Sequence, residues 1–257
     1  MRGDSSRPAI IETGRDVRLF RLDARRIMVV SCDSAGGIGP KPLDRVRVDG
    51  YTVGRLTARV ALIEALSVGA HPICLANTLA VEPRPTGIQI IKGIRSEVRH
   101  AGLDRRIVMT GSTEKNILVS QTGVGVTVVA IATPRSLRVG RSKLGDALVA
   151  IGLPHVGEEV MLGEKDGKTA DTRDVYNLLG LRFVHEIIPV GSQGILHEAK
   201  TIAEDSNLRF TLRRRLELDI RKSAGPATVV LCACHRSYMS TLSRLIDKPV
   251  NLIGSLK

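Results

Sequence analysis

The pattern of hydrophobic and polar positions is clearest at residues 17–31, "VRLFRLDARRIMVVS", where alternation changes into an apolar run. This pattern predicts two strands joined by a polar turn at residues 22–26. Further along, apolar residues at helical spacing alternate with short apolar runs that are typical of buried strands. The predicted elements are helices within 53–72 and 86–103, strands at 73–82 and 123–132, and a strand that starts at 106 and runs into a polar loop at 110–116.

The second of these helices is amphipathic. Its spacing places Ile88, Ile91, Ile94 and Val98 on one face. Gly102 follows the last periodic residue and predicts the end of the helix.

Residues 133–145, "TPRSLRVGRSKLG", have no apolar periodicity, so we predict a domain boundary near residue 136. The predicted domains are 1–136 and 137–257. The second half is expected to contain strands at 146–154, 183–191 and 227–234, helices at 172–180, 194–208, 209–222 and 237–246, a polar stretch at 157–171 and a last strand at the end. Because strands alternate with helices in both halves, the predicted fold class is α/β.

The composition is that of a folded protein. The chain has 257 residues, of which 43% are hydrophobic, enough for a substantial core. No apolar run is long enough to span a bilayer, and the polar first residues lack the apolar middle of a secretory signal. We therefore expect a soluble, cytoplasmic protein without a membrane partner.

The net charge of +12 is compatible with an anionic substrate or with nucleic acid. The basic residues, however, are spread along the whole chain. Aromatic residues make up only 2% and Trp is absent, so platforms for stacking bases are lacking. This composition disfavours a nucleic-acid partner.

The four cysteines, Cys32, Cys74, Cys232 and Cys234, are too sparse for a disulfide framework. The sequence "CACH", which ends at His235, suggests a metal site. The preceding "ATVVL" instead indicates a strand that continues through both cysteines, and no second ligand pair is visible. We therefore favour buried, structural cysteines.

The stretch "VVSCDSAGGIGPK" carries the first candidate chemistry. Asp33 stands at a strand end, where an acid either holds Mg²⁺ or caps a turn. Gly36, Gly37 and Gly39 would let the backbone approach an anion, and Lys41 would add positive charge. A flexible surface turn is the alternative, and the spacing differs from that of a P-loop.

Glu64 is the second candidate. It lies in "RVALIEALSVGA", flanked by Leu62, Ile63 and Leu66. A carboxylate in such surroundings is costly unless it is paired or binds a metal. The alternative is a thin polar stripe on the helix, and we favour a functional role.

Two polar segments follow predicted strands. Residues Thr110–Asn116, "TGSTEKN", combine hydroxyls, an acid, a base and an amide, and Pro189–Gly194, "PVGSQG", precedes a helix. Loops at strand ends bind ligands in α/β proteins, and backbone amides at a helix start suit an anion. Ordinary capping is the competing interpretation for both.

In this order, the segments resemble the family of aminoimidazole ribonucleotide synthase, thiamine-monophosphate kinase, selenide water dikinase and the hydrogenase maturation dehydratase. The resemblance covers nearly the whole chain. The segment "VVSCDSAGGIGPK" is similar to the acid, glycine turn and lysine of the synthase. "IEALSVGAHP" resembles a family helix in which Glu64 takes the place of a metal-binding aspartate, five residues before Gly69. "IKGIRSEVRHAGL", "VMTGSTEKN", "GDALVAIGLP" and "GPATVVLCAC" resemble later family segments.

The sequence departs from the family at several acids. The family's kinases have two acids after an N-terminal glycine, where "GRD" leaves only Asp16. Ser112 replaces an acid of the central loop, with Glu114 as a substitute nearby, and Gln193 replaces the aspartate of a Ser-Asp-Gly motif. These differences argue against an ordinary thiamine-monophosphate kinase. The segments "CDSAGGIG", "GSTEKN" and "PVGSQGI" are most similar to the AIR-synthase-related branch that includes alpha-ribazole kinase.

The resemblance implies an ATP-dependent kinase with Mg²⁺, which phosphorylates the 5′-hydroxyl of alpha-ribazole during cobalamin assembly. It also implies a two-domain AIR-synthase-like fold and a homodimer in which the N-terminal sheets pair. The implied site consists of catalytic Asp33, Lys41 and Glu114; Mg²⁺ ligands Asp16, Asp33 and Glu64; ATP contacts Gly36, Gly37, Gly39, Lys41, Asn77, Gly111, Ser112 and Thr113; and substrate contacts Ser192, Gln193 and Gly194.

Two other functions stay open at this point. One is another reaction of the family, either thiamine-monophosphate-kinase-like transfer or ATP-driven ring closure or dehydration. The other is a non-catalytic nucleotide or RNA-binding module, which the missing acids and the net charge of +12 motivate.

Overall fold

The computed structural model describes residues 8–257. Its strands are β1 Ala9–Ile11, β2 Val17–Arg21, β3 Ile27–Gly36, β4 Ile38–Gly39, β5 Val46–Arg47, β6 His71–Leu79, β7 Val108–Thr113, β8 Gly123–Ala132, β9 Ala147–Gly152, β10 Val184–Pro189, β11 Phe210–Leu212, β12 Val229–Cys234 and β13 Val250–Leu256. Its α-helices are α1 Gly50–Ser67, α2 Ile88–His100, α3 Glu159–Lys165, α4 Thr172–Gly180, α5 Gly194–Asp205 and α6 Met239–Leu245. None of the helices within 8–257 has the length and apolar character needed to cross a membrane.

The first half forms a six-stranded sheet with the order β1-β2-β3-β8-β6-β7. Its pairs are antiparallel except for the parallel pair β6–β7. The predicted hairpin is confirmed, since Val17 pairs with Ser31 and Arg21 with Ile27. The strand predicted at 123–132 coincides with β8, in which every second side chain is buried.

Helix α1 packs against the buried face of this sheet; it begins at Gly50, three residues before the predicted start, and ends at Ser67, just before the predicted stop at Gly69. The side chain of Asp49 caps it by accepting a hydrogen bond from the backbone N–H of Thr52, at 2.6 Å. Gly69 follows the last turn with φ +78°, a conformation that glycine adopts without strain.

Helices α1 and α2 approach each other closely because glycines face each other across the contact. A Cβ atom on Gly93 would lie 1.9 Å from the carbonyl oxygen of Tyr51, and one on Gly54 would lie 2.1 Å from that of Ile90. The buried side chains of α2 are Ile90, Ile94, Glu97 and Val98. Ile88 and Ile91 of the predicted face are only half-buried, and Ile91 packs partly against the same core as Ile94 and Val98.

The Gly93→Ala variant should unfold more easily by roughly 1–3 kcal/mol, because its methyl group would overlap a backbone carbonyl that cannot rotate away. Gly180→Ala is the matched control, since a Cβ atom at this helical position meets no atom within 4 Å. It should change the free energy of unfolding by no more than about 0.5 kcal/mol. Urea denaturation of both variants checks this, and equal stability would contradict the close packing.

The second half forms an antiparallel five-stranded sheet with the order β10-β12-β9-β13-β11. Apolar side chains cover both of its faces. One face packs against α4, α6 and the Ile63 and Leu66 side chains of α1, and the other packs against α5. Helix α1 therefore lies between the two sheets. Cys232 and Cys234 lie in β12 and are fully buried, in agreement with the strand interpretation.

The prediction of a helix at 209–222 was wrong. Residues 210–212 form β11, which pairs with β13 from Gly254 to Leu256, and the following residues have no regular structure. Leu216, Leu218 and Ile220 pack partly against the core at a spacing of two, which is the period of an extended chain.

Two other segments also differ from expectation. The polar stretch 157–171 contains the short helix α3, which the sequence pattern did not indicate. The segment predicted as a loop at 110–116 is a strand as far as Thr113, because it pairs with β6 up to Leu79. Residues 133–145 join the two sheets, and the domain boundary near 136 stays a prediction.

Candidate active site

Three of the predicted acids meet in one cavity between the two sheets. Asp16 precedes β2, Asp33 lies in β3 and Glu64 lies on α1. All three line a cavity of about 580 Å³, and Ser192 enters it from the segment after β10. We call this cavity, with these four residues, the acidic cleft.

Strand and helix periodicity explain why Asp33 and Glu64 meet. Ser31 points towards α1, where its hydroxyl donates to the Ala61 carbonyl at 2.7 Å. Asp33 lies two residues further along the strand and therefore on the same face. Glu64 lies three residues beyond Ala61 and therefore on the same side of the helix. One backbone contact thus brings the two carboxylates together.

A fourth carboxylate, Glu198 of α5, completes the cluster. Burial and the charge of Asp16 raise the pKa of Glu198 to about 7. Burial, with the charges of Asp16 and Glu198, raises the pKa of Glu64 well above its ordinary value, and burial raises the pKa of Asp33 to about 6. The ionised forms of Asp33, Glu64 and Glu198 are therefore disfavoured in the free protein, and a bound cation would stabilise them.

Among the described residues, Arg18 lines the cleft but forms no ion pair with its acids, and Arg15, whose charge acts on Glu64 and Glu198, is engaged elsewhere. Its guanidinium forms an ion pair with Glu186, donates to the carbonyl of Ile187 at 2.6 Å and contacts Asp205 at 3.0 Å. Within residues 8–257, no ion pair joins any of the four clustered carboxylates to a Lys or Arg. Arg15 only partly offsets the charges of Glu64 and Glu198.

The acids suit a divalent cation that is shared with a phosphorylated ligand. In the part of the chain that the structure describes, no three His, Cys, Asp or Glu side chains are grouped closely enough to hold a metal ion by themselves. Mg²⁺ commonly keeps several waters and binds through one or two carboxylates together with substrate phosphates. Unpaired carboxylates with raised pKa values provide such ligands.

The fold should be more stable at pH 5.5 than at pH 8. A carboxyl group with a raised pKa holds its proton longer in the folded than in the unfolded chain, so it disfavours folding as pH rises. This penalty is absent below pH about 4, grows through the values of about 6 and 7 for Asp33 and Glu198, and is complete above them. Asp174 adds to it through its own pKa of about 6.

Thermal unfolding between pH 5 and pH 8.5 checks this expectation. Glu198→Gln should flatten the profile and raise the melting temperature mainly at the alkaline end. A variant that melts below the wild type at pH 8 would contradict the assigned repulsion. Glu204→Gln, an exposed change on the same helix, is the control and should leave the profile unchanged.

The glycine turn after β3 only partly matches its predicted role. Gly36 is open, because a Cβ atom there would meet nothing within 4 Å. Gly39 is not open, since a Cβ atom would lie 2.4 Å from the Thr122 hydroxyl. Gly37 has φ +69° and donates its N–H to the Thr122 carbonyl at 3.0 Å. This turn is therefore packed against residue 122 rather than fully exposed to a ligand.

Lys41 does not reach into the acidic cleft. Its ammonium group forms an ion pair with Glu82, and its backbone N–H donates to Asp44 at 2.7 Å. The hydrogen bonds from Lys41 and Thr86 lower the pKa of Glu82 to about 2. Lys41 could contact a phosphate only by giving up Glu82, and its catalytic role stays a prediction.

Asn77 and Gly111, two of the predicted ATP contacts, lie in the same row across the sheet as Asp33. Asp33 pairs with Val126, Val126 with Asn77, and Asn77 with Gly111 across the sheet. Three strand spacings separate Asp33 from Gly111, about 14 Å. Asn77 donates to the Thr110 carbonyl at 3.0 Å, and its side chain fills the space where a Cβ atom of Gly111 would lie.

Ser112, Thr113 and Glu114 line a groove of about 580 Å³ at the end of the sheet, together with Gly36. Glu114 accepts hydrogen bonds from the backbone N–H groups of Asn116, at 2.7 Å, and Ile117, at 3.2 Å. These bonds lower its pKa and disfavour proton uptake. The structure does not bring Glu114 into the acidic cleft, and its catalytic role stays a prediction.

The structure places the three predicted substrate residues in different environments. Ser192 lines the acidic cleft, whereas Gln193 is exposed at the start of α5. Gly194 is buried, with φ +79° and the backbone of Arg221 close to the position of a Cβ atom. Its N–H donates to the Gly191 carbonyl at 3.3 Å. Gly194 thus supports the helix start and does not present its amide to a ligand.

An apolar cavity of about 340 Å³ adjoins the acidic cleft. The two share Asp33, Gly225 and Pro226. The apolar cavity is lined by Val53 and Leu56 of α1 and by Val160 and Met161 of α3. No Lys or Arg lines it. A ligand could therefore place a ring in this cavity and a charged group near Asp33.

Sequence reasoning missed Glu198, Arg15 and the apolar cavity. The signal for Glu198 was present, since it lies between Ile195 and Ile202 on the apolar face of α5, as Glu64 does on α1. Arg15 and the cavity walls depend on contacts between distant segments, which periodicity does not reveal.

The fold and this site define the class of protein. The two sheets, with α1 between them, form an AIR-synthase-like fold. Residues 14–132 match the family described as AIR synthase related protein, N-terminal domain. We found no matching sequence among curated proteins.

Solved structures share the fold over nearly the whole chain. A structure of a HypE–HypF complex superposes with a TM-score of 0.67 and 14% identity, over 95% of this chain and 87% of that chain. The thiamine-monophosphate kinase of Stenotrophomonas maltophilia K279a gives 0.62 and 18%, over 96% and 88%. AaThiL complexed with AMPPCP and TMP gives 0.63 and 12%, over 95% and 85%.

Proposed function

We propose that this protein is an ATP-dependent small-molecule kinase that uses Mg²⁺ and phosphorylates the 5′-hydroxyl of alpha-ribazole. The observation that carries this proposal is the cluster of carboxylates without cationic partners beside an apolar cavity. Support for nucleotide binding comes from similar folds solved as complexes with AMPPCP and TMP and with ATP. The 5′-hydroxyl of alpha-ribazole follows from the sequence resemblance alone.

The residues of the cleft have separate roles in this proposal. Asp16, Asp33 and Glu64 would hold the metal ion, which neutralises phosphate charge when it is bound. Glu198 adds to the negative potential at Glu64 when it is ionised. Because phosphoryl transfer depends mainly on positioning and electrostatics, these fixed charges are the principal contribution of the protein.

The substrate would span two cavities. The apolar cavity suits the benzimidazole ring of the nucleoside, since its walls are aliphatic side chains of α1 and α3. The ribose hydroxyl would then lie near Asp33, where the two cavities meet, and the hydroxyl of Ser192 could orient it. Gly36 and the groove that contains Ser112 and Thr113 would take the rest of ATP.

Incubation with ATP, Mg²⁺ and alpha-ribazole tests this function. Mass spectrometry should show a product heavier by one phosphate group, together with ADP, and EDTA should abolish its formation. Loss of water from a candidate substrate would instead support a dehydrating or ring-closing enzyme. Binding of ATP or RNA without turnover would overturn the enzyme proposal.

We also propose a homodimer in which the open faces of the six-stranded sheets pair. This face carries the half-buried side chains of Met28, Val30, Val129 and Ile131 and the exposed side chain of Ile73. Apolar groups in such a row favour burial against a partner. Light scattering should give twice the 27.7 kDa of one chain, and Val129→Lys should give monomers.

A further inference from the structure

A second cavity, of about 420 Å³, lies at the end of α1 beside the segment that joins the two sheets. Its charged lining consists of Arg135, Arg138, Arg141, Lys143 and Arg182, and no Asp or Glu lines it. We call this cavity the basic pocket. It shares no lining residue with the acidic cleft.

The positive charges of the basic pocket are not neutralised by neighbouring acids. In the described part of the chain, no ion pair joins any of its five Lys and Arg residues to a carboxylate. Arg138 donates only to backbone carbonyls, those of Leu179, at 2.9 Å, and Val184. Partial burial lowers the pKa of Arg138, because the charged form loses solvation there. An anion would restore favourable interactions to this group.

Two buried acids fix the backbone of the pocket. Glu186 accepts hydrogen bonds from the N–H groups of Gly140, at 2.9 Å, and Arg141, at 3.1 Å. Asp146 accepts from the N–H of Lys143 at 2.8 Å and contacts His185 Nδ1 at 2.7 Å. These bonds hold the main chain, and the Arg141 guanidinium donates only to backbone carbonyls, those of Leu137 at 3.2 Å and Pro134 at 2.8 Å, so its charge has no carboxylate partner in the described part of the chain. The pocket is therefore built before any ligand arrives.

Apolar side chains also line the basic pocket. Leu137, Leu179 and the half-buried ring of Tyr176 line it. The volume of about 420 Å³ is in the range of small-molecule sites. Guanidinium groups bind phosphate through paired hydrogen bonds, so the lining combines a phosphate-binding side with a surface for a ring.

We propose that the basic pocket binds a phosphorylated small molecule, with its phosphate between Arg138 and Arg141 and its apolar part against Tyr176 and Leu179. This site is separate from the kinase site and does not depend on it. It gives part of the net charge of +12 a specific role.

Isothermal titration calorimetry with phenyl phosphate, in buffer with EDTA and without Mg²⁺, tests the proposal. The absence of divalent cations disfavours binding of this probe in the acidic cleft. The Arg135→Ala/Arg141→Ala double variant should bind phenyl phosphate at least about 10-fold more weakly than the wild type. Inorganic phosphate should bind more weakly than phenyl phosphate, because it lacks the ring.

Two further variants keep the result interpretable. Arg182 lines the pocket but lies outside the joining segment, and Arg182→Ala should also weaken binding. Weaker binding in this variant would not result from a local disturbance of residues 135–141. Arg214→Ala removes an exposed arginine far from the pocket lining and should bind normally. Equal weakening in Arg214→Ala, or unchanged affinity in both pocket variants, would overturn the proposal. The proposal would also be overturned if the pocket variants lost binding of single-stranded RNA but kept binding of phenyl phosphate.

Discussion

Replacing Asp33 by Asn is expected to lower kcat/KM for ATP-dependent phosphorylation by at least about 100-fold while the protein stays folded. Asn has nearly the same shape but lacks the charge that would hold a metal ion against phosphates. Asp33 lies where the acidic cleft meets the apolar cavity, so its loss affects the point at which both substrates would react. Steady-state kinetics with alpha-ribazole and ATP measure the effect.

The same substitution should make the protein more stable at pH 8. Burial raises the pKa of Asp33 to about 6, so the ionised group disfavours the folded state above that pH. Asn removes this penalty, so the melting temperature should rise most at pH 8, less at pH 5 and hardly at all at pH 4. Asp33→Asn should therefore lose activity and gain stability, because it removes a functional carboxylate that has no cationic partner among the described residues.

Asp104→Asn is the matched control, because Asp104 is exposed on the connection between α2 and β7 and lines none of the three candidate cavities. It should leave both kinetics and melting temperature unchanged. Full activity of Asp33→Asn would remove Asp33 from the metal site. Glu64→Gln should resemble Asp33→Asn, since both carboxylates line the same cleft.

The sequence predicts well those elements that bury one face and pair with a strand close to them in the sequence or show regular alternation. Strand β8 shows every second residue buried, and the hairpin of β2 and β3 has a polar turn between two apolar strands. The failure at 209–222 has a physical cause. Its arginines and leucines favour a helix, but pairing of β11 with β13 and the two-residue spacing from Leu216 to Ile220 favour an extended chain.

The candidate site was predictable only where the sequence shows a polar residue in an apolar pattern. Asp33 and Glu64 carried that signal, and the structure brings them together in one cleft. Lys41 was predicted instead from its position after the glycine turn. Its partner in the structure, Glu82, lies 41 positions away in the sequence. Such long-range pairs follow from strand order and not from local pattern, so residue types alone could not predict them.

Arg15 connects the two sheets, and its removal should have the largest effect on stability. The guanidinium is 3% exposed and contacts Glu186, which is fully buried, and Asp205. In Arg15→Ala these carboxylates stay in the interior without their cation, which typically costs about 3–5 kcal/mol. Guanidinium denaturation should show this loss, whereas Arg18→Ala, an exposed change two strand positions beyond Asp16, should cost about 0.5 kcal/mol or less.

A double-mutant cycle separates the charge from the packing of Arg15. If an unpaired carboxylate causes the loss, Glu186→Gln should recover part of it in the Arg15→Ala background, although Gln keeps fewer of the hydrogen bonds from Gly140 and Ser142. Asp205 has a second partner in Thr13, at 3.0 Å, so Asp205→Asn should recover less. Arg15→Ala with wild-type stability, or a cycle without coupling, would show that Arg15 does not hold the two sheets together.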